Sequence, residues 1–559
     1  MSEAGMGEEV ALRVRNLRVG FGMADPVVRG VSFEIAPGEC LAIVGESGSG
    51  KSVTARSLLG LAGSNARVSA DRLELVGHSV LGLTEPAWQA RRGKDVGLVL
   101  QDALVSLDPL RPIGREIADS LRLHTGLGAS ARAARVLELL DAVGLPDPEM
   151  QVQKLSGQLS GGERQRALIA AAIALNPPLL IADEPTTALD VTVQAQILAL
   201  LERITGAGTA LLLISHDLAV VSRIAHRVAV MHDGVLVETG RTERVLGSPG
   251  HQQTRRMVAA IPADKPRGTR LSAADTPDPP SIPSTPRRPD TAIDSVPEIP
   301  PNNTVVLEAI GLSKSFRRPD GTRQLAVDTV SFALPRGSTL GIVGESGSGK
   351  TTTARLLLAL LTPEHGEVRV FGQPWSTASE KTRRALRPGV GAIYQDALGS
   401  FDPRWSVAEI LSDALGLGRQ RRAPQTTARL TTLLDEVGLA ATVLPRRPLE
   451  LSGGQRQRVG IARALAGKPQ ILICDEPVSS LDVTVQAQVL DLLDDLQRER
   501  GLSLVFISHD LGVVAHVSDQ IAVMRAGRSV ELGPAARVFA EPQHPYSAQL
   551  LAAVPRLSV

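Results

Sequence analysis

Cysteine is nearly absent from this 559-residue chain. Cys40 and Cys474 are the only two, and each lies in or beside an apolar, strand-like run. With no Cys/His spacing suited to zinc or an iron–sulfur cluster, they read as buried structural thiols in a reducing compartment. An excess of one charge is missing too. The 60 basic and 59 acidic residues leave a net charge of +1, without the basic surplus that advertises nucleic-acid binding. No apolar stretch approaches the ~20 residues a membrane helix needs. The N-terminus, Met1 to Val10, is acidic and polar, without a signal-peptide pattern. The chain therefore reads as cytosolic unless another component holds it at a membrane. Its hydrophobic content of 43% is ordinary for globular protein, which sets aside disordered and fibrous classes. The length leaves room for two or three domains.

Two phosphate-binding loops stand out against this background. They are Gly45-Glu-Ser47-Gly48-Ser-Gly50-Lys51-Ser52 and Gly344-Glu-Ser346-Gly347-Ser-Gly349-Lys350-Thr351. Each follows an apolar run (Leu41 to Val44; Leu340 to Val343) and precedes a helix-like segment, the context that the G-x-x-x-x-G-K-[ST] pattern requires. Consecutive backbone N–H groups and a helix N-terminus make a concave site for a polyphosphate. The lysine brings a point charge to the outer phosphates, and the hydroxyl can ligate Mg²⁺.

The loops belong to a long internal duplication. Lys51 recurs as Lys350, Gln101 as Gln395, Ser160 as Ser452, Glu184 as Glu476 and His216 as His509, at an almost constant offset. Such spacing means duplicated domains, not a short-period solenoid. Residues 263–303 between the copies are rich in Pro, Ser, Thr and Asp, and nine prolines from Pro277 to Pro301 leave little chance of helix or sheet. At ~3.1 Å per residue this semi-rigid linker could span on the order of 100 Å. The predicted layout is a domain over 1–262, a linker over 263–303 and a second domain over 304–559. Within each copy, apolar runs alternate with helical patterns, as in an α/β domain with a mainly parallel sheet. Val136, Leu139, Leu140 and Val143 fall on one helical stripe, as do Leu430, Leu433, Leu434 and Val437. Both stripes read as core.

Further motifs follow each loop. Leu179-Leu-Ile-Ala-Asp183-Glu184-Pro185 and Ile471-Leu-Ile-Cys-Asp475-Glu476-Pro477 are apolar strands ending in two carboxylates. One acid suits Mg²⁺, a hard cation that prefers oxygen ligands. The other can act as general base toward a water in line with the terminal phosphate. Leu159-Ser160-Gly161-Gly162-Glu163-Arg164-Gln165 recurs as Leu451-Ser452-Gly453-Gly454-Gln455-Arg456-Gln457. A helix N-cap with bare amides behind it is a second anion site, and a recurrence this long exceeds what a plain cap requires.

With this last motif the chain resembles the ATP-binding subunits of ABC transporters, whose signature is LSGGQ. The resemblance implies two P-loop NTPase domains of ABC type. Each would have a RecA-like, mainly parallel sheet, an antiparallel β subdomain and a helical subdomain. It implies that Gln101 and Gln395 touch Mg²⁺ or the attacking water, and that His216 and His509 contact the γ-phosphate. Ala188-Leu189-Asp190 and Ser480-Leu481-Asp482 match the D-loop, and Phe21 and Phe316 match the aromatic that stacks on adenine. Metal contacts would come from Ser52, Gln101 and Asp183, and from Thr351, Gln395 and Asp475. Cassettes of the family pair head to tail. One site would then use Lys51, Ser52, Gln101, Asp183, Glu184 and His216, closed by Ser452 and Gly454. The other would use Lys350, Thr351, Gln395, Asp475, Glu476 and His509, closed by Ser160 and Gly162. Both look complete, so both are expected to hydrolyse ATP.

The stretches Gln101-Asp-Ala-Leu-Val-Ser-Leu-Asp-Pro109 and Gln395-Asp-Ala-Leu-Gly-Ser-Phe-Asp-Pro403 are similar to those of the dipeptide/oligopeptide/nickel importer class. So is the C-terminal His544-Pro545-Tyr546; the first copy has His251-Gln252-Gln253 instead. This class implies two integral-membrane permeases, an extracytoplasmic substrate-binding protein and a place on the cytoplasmic face of the plasma membrane. Its iron–sulfur centre is not expected here, because no cysteine cluster follows Ile261-Pro262 or Val554-Pro555. A soluble tandem ATPase acting on ribosomes is the alternative; the proline-rich linker and the lack of basic tails count against it. A DNA-repair or chromosome ATPase would need a coiled-coil or zinc insertion that this sequence lacks.

Overall fold

The computed structural model describes residues 10–554 except 24, 102–105, 188, 264, 273–304, 318–320, 418–423 and 480. Ala188 and Ser480 of the D-loops, Asp102 to Val105 after the first Gln and nearly all of the linker therefore lie outside the described residues. The chain divides into two compact units, the first closing at Val258 and the second opening at Ala259.

In the first unit the apolar runs become the strands of a six-stranded sheet: β3 (Cys40–Val44), β7 (Val96–Val99), β8 (Leu179–Asp183), β9 (Ala210–Ile214), β10 (Arg227–His232) and β11 (Val235–Arg241). Their order is β11-β10-β3-β9-β8-β7, parallel throughout except for the β10–β11 hairpin. β3, β8 and β9 are buried at every position, which is why they read as unbroken apolar runs, not as alternation. A second, antiparallel sheet is built around β1 (Leu12–Phe21), paired with β2 (Val28–Ile35), β4 (Ala66–Ser69) and β5 (Arg72–Leu75), with β6 (His78–Ser79) beyond β5. The two sheets share one core, in which Leu12, Val14 and Leu17 meet Leu41, Ile43, Ile181 and Leu212.

The second unit repeats this plan. Its core sheet has the order β17 (Val390–Ile393), β18 (Ile471–Asp475), β19 (Ser503–Ile507), β14 (Thr339–Val343), β20 (Gln520–Arg525) and β21 (Arg528–Pro534). Its antiparallel sheet runs β13 (Arg323–Pro335), β12 (Val305–Arg317), β15 (His365–Val370) and β16 (Gln373–Pro374). In both units the central parallel strands carry the phosphate loop and the acidic pair at their C-terminal ends, where open α/β sheets place ligand-binding groups.

Helices inserted between the strands form the third part of each unit. Val136, Leu139, Leu140 and Val143 are buried, as are Leu430, Leu433, Leu434 and Val437, so both stripes are core as the spacing predicts. Cys40 and Cys474 are fully buried free thiols, and burial pushes both well above the ordinary thiol range. Among the described residues no helix is long and apolar enough to cross a membrane.

Ala263 and residues 265–272, which composition groups with the linker, pack within the second unit. The buried carboxylate of Asp491 accepts from the backbone N–H of Leu271 and Ser272 at 2.9 and 2.8 Å, and from the Ser272 hydroxyl. Arg267 pairs with Asp519 and donates to Gln497, and Arg270 lies 3.6 Å from Asp495. The first copy has Ala199 where the second has Asp491.

Candidate functional site

Each phosphate loop leaves the end of a buried strand and is shaped by glycine where another backbone passes. A Cβ on Gly45 would lie 2.2 Å from the Met231 carbonyl oxygen, and one on Gly344 would meet that of Met524 at the same distance. Gly50 and Gly349 sit in the left-handed region, at φ 104° and 101°, and open the following helices. Lys51 and Lys350 are buried and curl back over their loops. The Lys51 ammonium donates to the carbonyls of Gly45 and Glu46 at 2.8 and 2.7 Å, and Lys350 donates to Gly344 and Glu345 at 2.7 and 2.9 Å. Ser47 and Gly48, like Ser346 and Gly347, form the exposed rim.

Next to each loop stands the first carboxylate of the strand end. Ser52 Oγ donates to Asp183 Oδ1 at 3.0 Å, while Asp183 Oδ2 is buried with no hydrogen-bond partner. Burial raises the Asp183 carboxyl above its ordinary range, the Ser52 hydrogen bond opposes that, and the adjacent Glu184 charge adds to it. Asp475 is raised for the same first reason, with Thr351 Oγ1 at 3.5 Å, the limit of a hydrogen bond. A buried carboxylate oxygen lacking a donor, beside a hydroxyl, fits a hard divalent cation whose remaining ligands are phosphate and water.

The second carboxylate is held by three neighbours. Glu184 has φ 50°, a strained value for a non-glycine residue, and its N–H donates to Ile214 O at 2.9 Å. Its Oε2 accepts from Gln101 Nε2 at 2.9 Å and from Thr187 Oγ1 at 3.0 Å, and its Oε1 lies 3.2 Å from His216 Nδ1. Glu476 repeats this with φ 49°, Gln395 at 2.8 Å and His509 at 3.3 Å. Burial alone would raise both carboxyls, but the histidine hydrogen bond and charge outweigh it and leave them below the ordinary range. Burial likewise acts against the imidazolium, yet the glutamate partners hold His216 and His509 above theirs. In each unit the chain thus brings together Lys, Ser or Thr, Gln, Asp, Glu and His at one strand end.

The signature residues stand on a separate helix. Ser160 caps Gly161–Ala172 in a capping box: its Oγ accepts from Glu163 N at 3.3 Å, and Glu163 Oε2 accepts from Ser160 N at 2.7 Å. Ser452 and Gln455 do the same for Gly453–Leu465 at 3.2 and 3.1 Å. Both serines remain exposed. A Cβ on Gly162 would lie 2.5 Å from Val193 Cγ1, and one on Gly454 would lie 2.6 Å from Val485 Cγ1, so glycine is required by the neighbouring helix. Those neighbouring helices are capped by Asp190 and Asp482 of the D-loops. Phe21 ends β1, half-buried against the core, whereas Phe316 on β12 is 42% exposed.

Two contacts were not legible in the motifs, although Tyr546 itself belongs to the His544-Pro545-Tyr546 motif. Thr187 bonds the glutamate side chain, and its counterpart Ser479 bonds the Glu476 carbonyl at 3.3 Å. Tyr546 OH accepts from the Glu345 N–H of the second phosphate loop at 3.1 Å, and Arg525 lies 4.8 Å over its ring. The first copy has Gln253 at that position, so the failure of the duplication there marked the site without giving its contact.

This geometry defines a P-loop nucleoside-triphosphatase present twice in one chain. The ABC transporter family model matches residues 28–187 and 327–479, and the chain belongs to that family. It is an ATPase with its cassettes in tandem. Residues 530–559 match the C-terminal region of oligopeptide/dipeptide transporters. The chain is 41% identical to the glutathione import ATP-binding protein GsiA of Salmonella typhimurium, over 97% of this chain and 89% of the relative. It is 43% identical to the peptidoglycan transport ATP-binding protein YejF of Agrobacterium fabrum, over 97% and 96%. It is also 41% identical to the oligopeptide transport ATP-binding protein OppD of Mycobacterium tuberculosis, over 98% of each chain.

Proposed function

We propose that this ATPase powers uptake of peptides or closely related small solutes, glutathione among them, through two permease subunits fed by an extracytoplasmic binding protein. It would work at the cytoplasmic face of the plasma membrane. The observation that carries the class is the match of residues 530–559 to the oligopeptide/dipeptide transporter C-terminal region, a segment outside the catalytic motifs.

In the proposed chemistry Lys51 and Lys350 neutralise the outer phosphates while the loop amides fix them. Mg²⁺, when bound, neutralises charge between the phosphates, and Ser52 with Asp183, or Thr351 with Asp475, would hold it. Glu184 and Glu476 take a proton from the attacking water, which His216, Gln101 and their counterparts orient. Each glutamate is engaged by its Gln and His, so base action requires those two side chains to turn toward the phosphate and water. Phe21 and Phe316 are assigned to the adenine face. Ser160, Gly162, Ser452 and Gly454 are assigned to closing the opposite cassette's pocket, as the family resemblance implies.

Reconstitution in proteoliposomes with the permeases and binding protein of the same gene cluster tests the reading. Labelled di- to pentapeptides or glutathione should accumulate only with ATP and stimulate its hydrolysis. Stimulation by a nickel chelate or haem, with none by any peptide, would refute the peptide assignment.

A further inference from the structure

The loop that follows Gln395 is tied to the signature helix of the same cassette by one side chain. Arg463 lies about three turns from the Ser452 cap on Gly453–Leu465. Its guanidinium donates to the Ser400 carbonyl at 2.7 Å through Nη1 and to Ser400 Oγ at 3.0 Å through Nη2. The same group lies 4.8 Å from the Phe401 ring and 5.7 Å from the Tyr394 ring. It therefore grips the loop at both ends, since Tyr394 directly precedes Gln395 and Ser400-Phe401 closes the turn. The turn is itself compact: Asp396 Oδ1 accepts from Gly399 N at 2.9 Å and Asp396 O from Ser400 N at 3.1 Å. Gly460, one turn before Arg463, lies beside the turn: a Cβ there would make ordinary contact with Phe401 and Ala397 at 3.9 and 4.0 Å. The first copy keeps Ser106 but has Leu100, Leu107, Leu168 and Ala171 in place of Tyr394, Phe401, Gly460 and Arg463. The duplication has retained Gln101 and Gln395 while this tie exists in one copy alone.

We propose that Arg463 is a positioning residue for Gln395, coupling the Gln-bearing loop of the second cassette to its signature helix so that the two move as one body. The first cassette has Ala171 in place of the guanidinium and leucines in place of both rings, so its Gln101 is not held by this device. The two ATP sites are then unequal in how they respond to motion of the helical part, although their catalytic groups match. A guanidinium is needed because only its fixed fork can bond the carbonyl and hydroxyl of one residue while lying against two rings. A guanidinium stays protonated in proteins, so the tie is a charge-assisted one. This inference rests on the reading of Gln395 as a group that contacts the water or metal.

The test compares steady-state ATPase activity of full-length Arg463→Ala, Arg463→Lys, Phe401→Leu, Gln395→Ala and Arg458→Ala. Arg458 is the control: it is on the same helix and half-buried, but it bonds Val437 O, Gly438 O and Gln488, away from the loop. Arg463→Ala should lower kcat to within about twofold of the Gln395→Ala value, with KM for ATP within about twofold of wild type. Lysine should not restore it, and Phe401→Leu, which is milder on folding, should lie between. The inference is overturned if Arg463→Ala loses no more kcat than Arg458→Ala at a matched fall in Tm, while Gln395→Ala is impaired. Wild-type kcat in Gln395→Ala would refute the Gln395 reading itself, and the inference with it.

Discussion

Glu184 and His216 set each other's charge, and so do Glu476 and His509. Each carboxyl lies below its ordinary range and each imidazole above: burial opposes both shifts, and the partner's hydrogen bond and charge together outweigh it. The sign of the linkage follows. The histidine contribution is complete below the unfolded pKa near 6.5 and is lost as pH rises through the raised folded value. The glutamate contribution is present above 4.5 and lost as pH falls through the depressed value. The Tm gap between wild type and His216→Ala/His509→Ala should therefore be widest in mildly acidic buffer and narrow steadily through alkaline pH. A gap that widened with pH would contradict the pairing. Tyr546 makes a separate prediction. Tyr546→Phe keeps the ring under Arg525 but leaves the Glu345 N–H without its acceptor. A neutral hydrogen bond of about 1 kcal/mol corresponds to roughly fivefold in affinity. Nucleotide binding measured with the first cassette disabled by Lys51→Ala should weaken by about that factor, and unchanged binding would remove Tyr546 from the loop's support.

At the scale of elements, what the sequence reveals is what local backbone chemistry demands. Gly45 and Gly344 are dictated by a carbonyl 2.2 Å from any Cβ, and Ser160 and Ser452 by a helix start, so they recur in fixed spacing and can be recognised. The buried strands β3, β8 and β9 are legible for a like reason: burial on both faces removes the polar alternation. Arg463 and Asp491 were not legible, because each acts through a partner far along the chain and has no required spacing; Tyr546 was legible as part of His544-Pro545-Tyr546, but its bond to the phosphate loop was not, for the same reason. The Asp491 contact also redraws an element. Proline content separates 263–303 from the domains, yet residues 265–272 are fixed by a carboxylate on the helix Val483–Arg500. Removing this acceptor leaves the buried Leu271 N–H unpaired, at about 1–3 kcal/mol, and releases the two part-buried donors of Ser272. Asp491→Ala should accelerate tryptic cleavage at Arg267 and Arg270 before the second cassette unfolds, and an unaltered cleavage rate would show that Asp491 does not hold the segment.

Over the whole molecule, the duplication keeps the chemistry and lets the supports diverge. Phosphate loop, acidic pair, Gln and His are present in both cassettes at distances that agree within about 0.5 Å, whereas the Arg463 tie, the Tyr546 support and the Asp491 anchor belong to the second alone. Matching catalytic groups lead to the expectation that both cassettes hydrolyse ATP, and the paired glutamates are the groups on which that expectation turns. A positioned general base contributes about 10²–10⁴ in rate. The decisive measurement is phosphate release by the double variant Glu184→Gln/Glu476→Gln, with nucleotide binding followed in the same sample. Binding should persist at wild-type affinity while release falls by at least about a hundredfold. Near-normal phosphate release from the double variant would contradict the assignment of these two carboxylates as the bases.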